Sequence, residues 1–523
     1  MNRRAFLADS VKTAASAYVG VAGASLMARG ADPFELKLLR REPDTGRPVV
    51  FQQSIQPAKT AIVVIDMWDC HWCKTYTARV ANLVPRMNQT LEAARKLGIT
   101  IVFAPSDVVG FYQDYPQRKA MQAIPPKAEP ATRDFPLPPD TLGQDGCECG
   151  PSQPCKTKPF GSWRRQHPDL RIADGDLIGD GNNARELLNF CQERGVDTLI
   201  YVGVASNMCV RQRAFGMINM KRHGYRTIFI SDLVEAITAN GLDPAKKTPD
   251  WNFTPAKGSA LSRAYNERYL AASCESRHLI AAAGLSAADR RTSIVFVIVD
   301  QEYKSDETLP AFAKTFLTPD YRCTFLLPRG GKGPGCIDIP GLEALYDADL
   351  LVMSMRRCAL PVAQMDFLER YIRCGKPIVN TRINIVPFQL DPKSRQDGYV
   401  IWPAFDQEVL GCHYQGYNAE SRKTGSDVWV LPEASQHPIV QGLENAKWHS
   451  PIWLYRQNPL APSVTVLMRG QWSPDQEPGV QPVAWTHTYE GGRVFYTALG
   501  HWDDFRNEKF NRLLLNGIKW VMG

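Results

Sequence analysis

Short runs of β-branched and aliphatic residues, apolar at nearly every position, alternate along this chain with stretches of helical spacing, which restricts it to open α/β sheets. Ala61-Ile62-Val63-Val64-Ile65 runs into Asp66. Ile99-Thr100-Ile101-Val102-Phe103-Ala104 follows an amphipathic stretch over 80–98 that Gly98 closes, and Thr198-Leu199-Ile200-Tyr201-Val202 follows a helical stretch over 184–194. A further strand over 227–231 ends at Asp232. Strands apolar on both faces need helices on both sides, so the pattern predicts a doubly wound parallel sheet with ligand sites at its carboxyl ends. A polar, Pro-rich segment over 121–169 interrupts the alternation, and a segment of that length in a compact domain reads as a binding loop or lid.

A second series starts at Thr292, with strands over 294–299, 350–354 and 377–379, a helix over 362–373, and a closing strand and helix between Arg493 and Trp520. A chain of 523 residues exceeds one core, which stops growing at roughly 250 to 300 residues, so two sheets in two domains are expected. The break falls within 283–291, giving domains over 32–287 and 290–523. The net charge of +7 is spread without a basic block or basic-aromatic interleaving, which argues against a nucleic-acid partner, and no apolar run is long enough to span a membrane.

Arg3-Arg4-Ala5-Phe6-Leu7, followed by an Ala/Gly-rich stretch over 14–28, reads as a twin-arginine export signal over 1–31 and predicts a periplasmic or extracellular destination. Export admits disulfides, but thirteen cysteines leave at least one thiol free. Cys147, Cys149 and Cys155 share a Gly/Pro-rich loop, with Cys70 and Cys73 elsewhere. Their spacing matches no zinc pattern, so they read mainly as disulfides or bystanders, with a soft metal as the alternative and no metal expected.

Cys209 stands where the strand over 198–202 turns at Gly203 into a helix. A thiol at a helix N-terminus is expected to have a lowered pKa, and the amide groups there can stabilise an oxyanion. Asp66, at the end of another strand, can take the thiol proton and return it to a leaving nitrogen. Asp66-Met67-Trp68-Asp69-Cys70-His71-Trp72-Cys73 adds indoles and an imidazole, either as an aromatic pocket or as a packing corner.

The strand ending in Asp66, together with Gly203-Val204-Ala205-Ser206-Asn207-Met208-Cys209-Val210, resembles the isochorismatase-like cysteine hydrolases over about residues 55–283. The resemblance implies Asp66 as general base, Cys209 as nucleophile, a cis Val204–Ala205 bond, and an oxyanion hole from the N–H groups of Ala205 and Cys209. It also implies a lysine just before the helix over 184–194, where Asp180-Gly181-Asn182-Asn183 has none. Arg165 is the candidate replacement. Trp68, His71, Asp107, Phe111 and Asn207 are candidate substrate contacts. The Asp/His metal cluster of related nicotinamidases is missing from Ser106-Asp107-Val108-Val109-Gly110-Phe111-Tyr112, and no cofactor is expected.

Residues 292–523 resemble the ThuA-like (trehalose-utilisation) proteins, with their flavodoxin-like, class I glutamine-amidotransferase-like sheet. The resemblance rests on Glu302-Tyr303, on Gly375-Lys376-Pro377-Ile378-Val379 and on the segment from Gly492 to His501. Asn380-Thr381-Arg382-Ile383-Asn384 offers no nucleophile after the third strand, so glutamine hydrolysis is not expected. Glu302, Arg356, Arg357, Arg382, Tyr414 and His501 are candidate ligand contacts. The combined expectation is an exported hydrolase of a non-peptide, amide-type C–N bond in a small molecule, with a second domain for a carbohydrate-like ligand and scope for a homo-oligomer. The alternative is a carbohydrate-binding or carbohydrate-isomerising protein whose first domain is non-catalytic.

Overall fold

The computed structural model describes residues 32–523, apart from 141, 143–145, 151–154, 156–162, 245, 301, 331–333, 418, 420 and 473–478. The export signal expected over 1–31 lies outside the described residues. Among the described residues no helix is long and apolar enough to cross a membrane.

The chain is α/β, built on two large sheets. The first contains β1 (Phe34–Arg41), β2 (Pro48–Ile55), β3 (Thr60–Ile65), β4 (Thr100–Ala104), β5 (Leu177–Ile178), β6 (Thr198–Val204), β7 (Arg226–Glu235) and β8 (Ala272–Cys274), in the order β2-β1-β8-β7-β6-β3-β4-β5. β3 to β8 run parallel, and every residue of β3 and β6 is buried, as their continuous apolar character requires. The β1–β2 hairpin adds an antiparallel edge that the sequence reading did not foresee, because charged residues alternate with the apolar ones in Phe34–Arg41.

The helix expected over 80–98 is Lys74–Lys96 and starts earlier because Tyr76 and Arg79 are buried. β7 runs four residues past its expected end, with a register shift against β6. The helix Ala184–Arg194 matches its expected span, with the Asn183 side chain capping one end and Gly195 in the left-handed conformation closing the other.

The second sheet begins with β9 (Ser293–Val299) and β10 (Arg322–Leu326), while β11 (Gly335–Cys336) lies apart from it. It continues through β12 (Leu350–Met355) and, past β13 (Cys358–Pro361), through β14 (Ile378–Thr381). After β15 (Tyr399–Val400) come β16 (Ser426–Val430), β17 (Lys447–Ser450), β18 (Thr465–Gln471), β19 (Val480–Tyr489) and β20 (Gly492–Thr497). The order is β10-β9-β12-β14-β20-β19-β18-β16-β17, with β11, β13 and β15 forming a small separate ribbon. The half from β10 to β20 is parallel; β16 to β19 form an antiparallel extension that the sequence reading passed over.

The two sheets meet through a buried ionic joint. Arg79 reaches Glu148 (2.7 Å), Glu235 (2.6 Å) and, across the joint, Asp366 (2.5 Å) on the helix Val362–Arg373, while Arg370 of that helix pairs with Glu235. Arg370 and Arg79 hold the buried Glu235 carboxylate below its ordinary range, against the effect of burial. Around this centre Arg86 pairs with Asp347 (2.6 Å), Arg277 with Asp349 (3.0 Å) and Lys376 with Glu275 (3.0 Å).

Candidate active site

The carboxyl ends of β3 and β6 lie side by side, with Ile65 opposite Gly203. A Cβ at Gly203 would stand 1.9 Å from the Ile65 carbonyl oxygen, so only glycine lets the two strand ends come this close. The chain leaves β6 through a cis Val204–Ala205 peptide and turns through Met208 into the one-turn helix Cys209–Gln212. That turn sets the Cys209 thiol against the Asp66 carboxylate, to which it is hydrogen-bonded, while the Ala205 N–H points at the sulfur. Asp66 itself has φ 44°, a left-handed conformation that a non-glycine residue keeps only when its surroundings impose it.

Asp66 is fully buried, and its Oδ1 accepts the Ser106 N–H at 2.9 Å. Its Oδ2 faces the guanidinium of Arg213, with Nε at 3.3 Å. Burial lifts the Asp66 carboxyl to about 6, with Arg213 the strongest influence against the rise. Burial, and then the Asp66 charge, push the Cys209 thiol up to about 12. The lowered thiol pKa expected from a helix N-terminus is therefore corrected: one helical turn supplies little dipole, and desolvation of a residue 8% exposed outweighs it. The resting pair is an ionisable base beside a protonated thiol.

The cation at Asp66 is Arg213, four residues past Cys209, and not Arg165. The Arg165 guanidinium stands over the Phe111 ring, 5.6 Å from its centroid, and its backbone is tied to the turn after the base, with the Asp69 N–H donating to the Arg165 carbonyl at 2.9 Å. Besides Asp66, two groups hold Arg213: Nη2 meets Asp107 Oδ2 at 2.6 Å and Nη1 donates to Asn182 Oδ1 at 2.9 Å, and the two are tied together, with Asn182 Nδ2 donating to Asp107 Oδ1 at 2.9 Å. Asn182 lies in the stretch where the resemblance implies a lysine; here that stretch supplies an acceptor to the arginine, and the charge comes from the Cys209 side. Asp107, expected as a substrate contact, is engaged in orienting this arginine.

The remaining candidates separate into walls and braces. Trp68 stacks on Trp163 (4.2 Å between ring centroids), and His71 stacks on Trp163 at 5.8 Å, so the long segment after residue 121 does return to cover the end of β3. The Trp68 Nε1–H and both ends of the Gln166 carboxamide are buried there without partners. His71 accepts the Cys73 N–H at Nδ1, and burial lowers its pKa to about 4, so it is a neutral ring. Phe111 is exposed at the rim. Asn207 is a brace, because its carboxamide donates to the Ile237 carbonyl (3.0 Å) and accepts the Ile237 N–H (3.1 Å). Arg213, Asn182, Trp163 and Gln166 are not singled out by the sequence; two arginines, Arg211 and Arg213, follow Cys209 within one turn, and the fold sends Arg211 to Asp140 and Arg213 to Asp66.

In the second sheet a cavity of about 180 Å³ opens at the strand ends, lined among others by Glu302, Arg356, Arg357, Tyr414, Trp453 and Tyr455. Arg356 pairs with Glu302 at 3.1 Å. Arg382 and His501 stand outside that lining. Arg382 is fully buried behind it, packed on Tyr303, Trp453 and Tyr455 and donating to the Trp453 and Ala498 carbonyls, while His501 lies on Trp502. Of the seven non-glycine residues with positive φ among those described, Asp66, Asp107, Arg357 and Arg382 stand at these two sets of strand ends.

Residues 180–251 match the isochorismatase domain family, and residues 342–521 match the trehalose utilisation (ThuA) family. The chain joins an isochorismatase-type segment to a ThuA-type one. The isochorismatase-type match takes in Asn182, Cys209 and Arg213, and the ThuA-type match takes in Arg356, Arg357 and Tyr414. No curated protein sequence matches the chain. Among solved structures, a ThuA-like protein from Parabacteroides merdae is 16% identical with a TM-score of 0.33, the alignment covering 45% of this chain and 90% of that one. A cysteine hydrolase from Pseudomonas syringae pv. phaseolicola is 17% identical with a TM-score of 0.29, covering 47% and 97%. An N-carbamoylsarcosine amidase from Thermoplasma acidophilum is 15% identical with a TM-score of 0.23, covering 42% and 96%.

Proposed function

We propose that the first sheet carries a cysteine hydrolase for a non-peptide, amide-type C–N bond of a small molecule. The observation behind this reading is the contact of the Cys209 thiol with a buried carboxylate whose cation, Arg213, is itself held by Asp107 and Asn182. In the reaction Asp66 takes the thiol proton as sulfur bonds to the carbonyl carbon. The Cys209 N–H stabilises the oxyanion, joined by the Ala205 N–H as the sulfur it faces moves into its bond with carbon. The C–N bond then breaks as Asp66 returns the proton to the departing nitrogen, leaving a thioester. Water, deprotonated by Asp66, attacks that thioester and releases the acid and the thiol. With the thiol pushed to about 12, sulfur is activated only as the proton moves to Asp66, so attack and proton transfer are coupled.

The cavity of the second sheet suits a small polyhydroxylated ligand, since charged groups for hydroxyl or carboxylate recognition face aromatic walls. A purely carbohydrate-binding role for the whole chain is the weaker reading, because Asp66 retains a cation at hydrogen-bonding distance. The Arg3-Arg4 motif supports export, and replacing both by lysine is expected to strand the protein in the cytoplasm.

The test is release of ammonia or amine from a panel of small amides, carbamoyl compounds and sugar amides, with acid-quenched samples analysed by mass. The expected result is turnover of at least one member with an acyl adduct on the Cys209 peptide. Turnover that persists undiminished in Cys209→Ala would remove the proposal.

A further inference from the structure

Four cysteine sulfurs converge at a place that the proposed chemistry does not use. The Sγ atoms of Cys73, Cys147, Cys149 and Cys155 all lie within 4.8 Å of one another, with Cys73 and Cys149 at 3.8 Å and Cys149 and Cys155 at 3.1 Å. The disulfide reading of the sequence pairs such residues two by two at about 2.05 Å; here all four are free thiols, and Cys70, grouped with them from sequence, is not part of the set. A tetrahedral ion with metal–sulfur distances of about 2.3 Å needs ligand sulfurs about 3.8 Å apart, which is the Cys73–Cys149 separation, with Cys149 and Cys155 closer at 3.1 Å and no pair beyond 4.8 Å. Sulfurs this close leave room for one ion and not for a multi-iron cluster, whose metal atoms hold the ligand sulfurs further apart.

Backbone and hydroxyl donors are aimed at the sulfurs. The N–H groups of Tyr76 and Glu148 point at the Cys73 sulfur, those of Cys149 and Cys155 at Cys147, and that of Lys74 at Cys155. The Thr75 hydroxyl donates to Cys149 at 3.3 Å. Amide donors aimed at sulfur offset the mutual repulsion of thiolates, as the outer hydrogen bonds of a metal site do, and are of little use to neutral thiols. Cys73 and Cys149 are buried, and Cys147 and Cys155 are partly covered.

We propose that Cys73, Cys147, Cys149 and Cys155 form a closed tetrathiolate site for a single soft divalent metal ion of the zinc class. With four protein ligands the site has no open position, so the ion is structural. Its effect follows from where the ligands sit. Cys73 immediately precedes the helix Lys74–Lys96, which carries Arg79, and the other three belong to the long segment between β4 and β5. Glu148, between two of the ligands, meets Arg79 at 2.7 Å, and Arg79 continues to Asp366. The ion thus staples the long segment to the helix start and fixes Glu148 in the joint between the sheets. It also fixes the chain next to His71, whose ring accepts the Cys73 N–H.

The experiment is metal analysis of the full-length protein purified without chelator, followed by exchange of the bound ion for Co²⁺. Expected are about one zinc-class ion per chain, loss of that ion in Cys147→Ser and Cys155→Ser, and Co²⁺ absorption with thiolate-to-metal charge transfer and the strong visible bands of a tetrahedral site. The Co²⁺ spectrum is read on the unmodified chain, so a variant that does not fold leaves the test intact. Substoichiometric metal with all four thiols reactive, or a non-reducing peptide map showing disulfides among the four, would overturn the proposal.

Discussion

Arg213 Nε lies 3.3 Å from Oδ2 of Asp66, so a surface-facing arginine neutralises a carboxylate that has no exposure to water of its own. Asp107 and Asn182 fix the far side of the guanidinium. Arg213→Ala is expected to lower kcat/KM by about 10²- to 10³-fold, the cost of one preorganised electrostatic group, and Arg213→Lys to recover part of it. Steady-state kinetics of the two variants checks this; equal activity in both would remove the charge from the account.

The pH profile carries the sign of the Asp66 shift. Its carboxyl is raised to about 6 and is active only when ionised, so kcat/KM is expected to fall as pH drops through about 6 and to be level above it. The Cys209 thiol, at about 12, adds no second rise in the neutral range. In Arg213→Ala the strongest restraint on the carboxyl is gone, and the acid limb should move to higher pH.

Alkylation separates the charge of Asp66 from its role as base. In the resting protein Cys209 is expected to react slowly with iodoacetamide at pH 7, because burial and Asp66 both oppose the thiolate. Asp66→Asn removes the negative neighbour and leaves Arg213 facing the thiol, so alkylation should speed up while hydrolysis is lost. Peptide mass mapping over a time course reads both rates; slower alkylation in Asp66→Asn would contradict the assigned electrostatics.

The joint between the sheets predicts a stability effect far from either set of strand ends. Arg79 has no exposed side-chain surface and serves three carboxylates. Arg79→Ala leaves Glu148 and Asp366 without their cation and is expected to cost about 3 to 5 kcal/mol. A denaturant titration gives the value, and a loss below about 1 kcal/mol would show that water reaches the joint.

Legibility in the sequence follows how continuously apolar each segment is. β3, β6, β9 and β12 are readable because every position is buried and nearly every one apolar, while β16 to β18 and the β1–β2 hairpin mix polar residues into partly exposed strands, and Gln481, Thr486 and His487 break the apolar run of the buried β19. Asp66 and Cys209 were readable because each follows a buried strand at a point of chain reversal. Arg213 is not legible because the resemblance implies a lysine near residue 182, whereas only the fold brings Arg213 to Asp66 with Asn182 behind it. Asn207 and Arg382 look like ligand contacts by residue type and strand-end position; their hydrogen bonds to Ile237, Trp453 and Ala498 show that they hold backbone. The convergence of Cys73 with Cys147, Cys149 and Cys155 spans more than seventy residues and follows no local spacing.

The most direct test of the central claim is a comparison of kcat/KM for Asp66→Asn and Cys209→Ala on one substrate found by the amide panel. A base and a nucleophile that act as one unit fail together, so both variants are expected to lose about four orders of magnitude or more, to a similar extent. Either variant within tenfold of the unmodified protein would contradict the assignment of Asp66 and Cys209 as the hydrolytic pair.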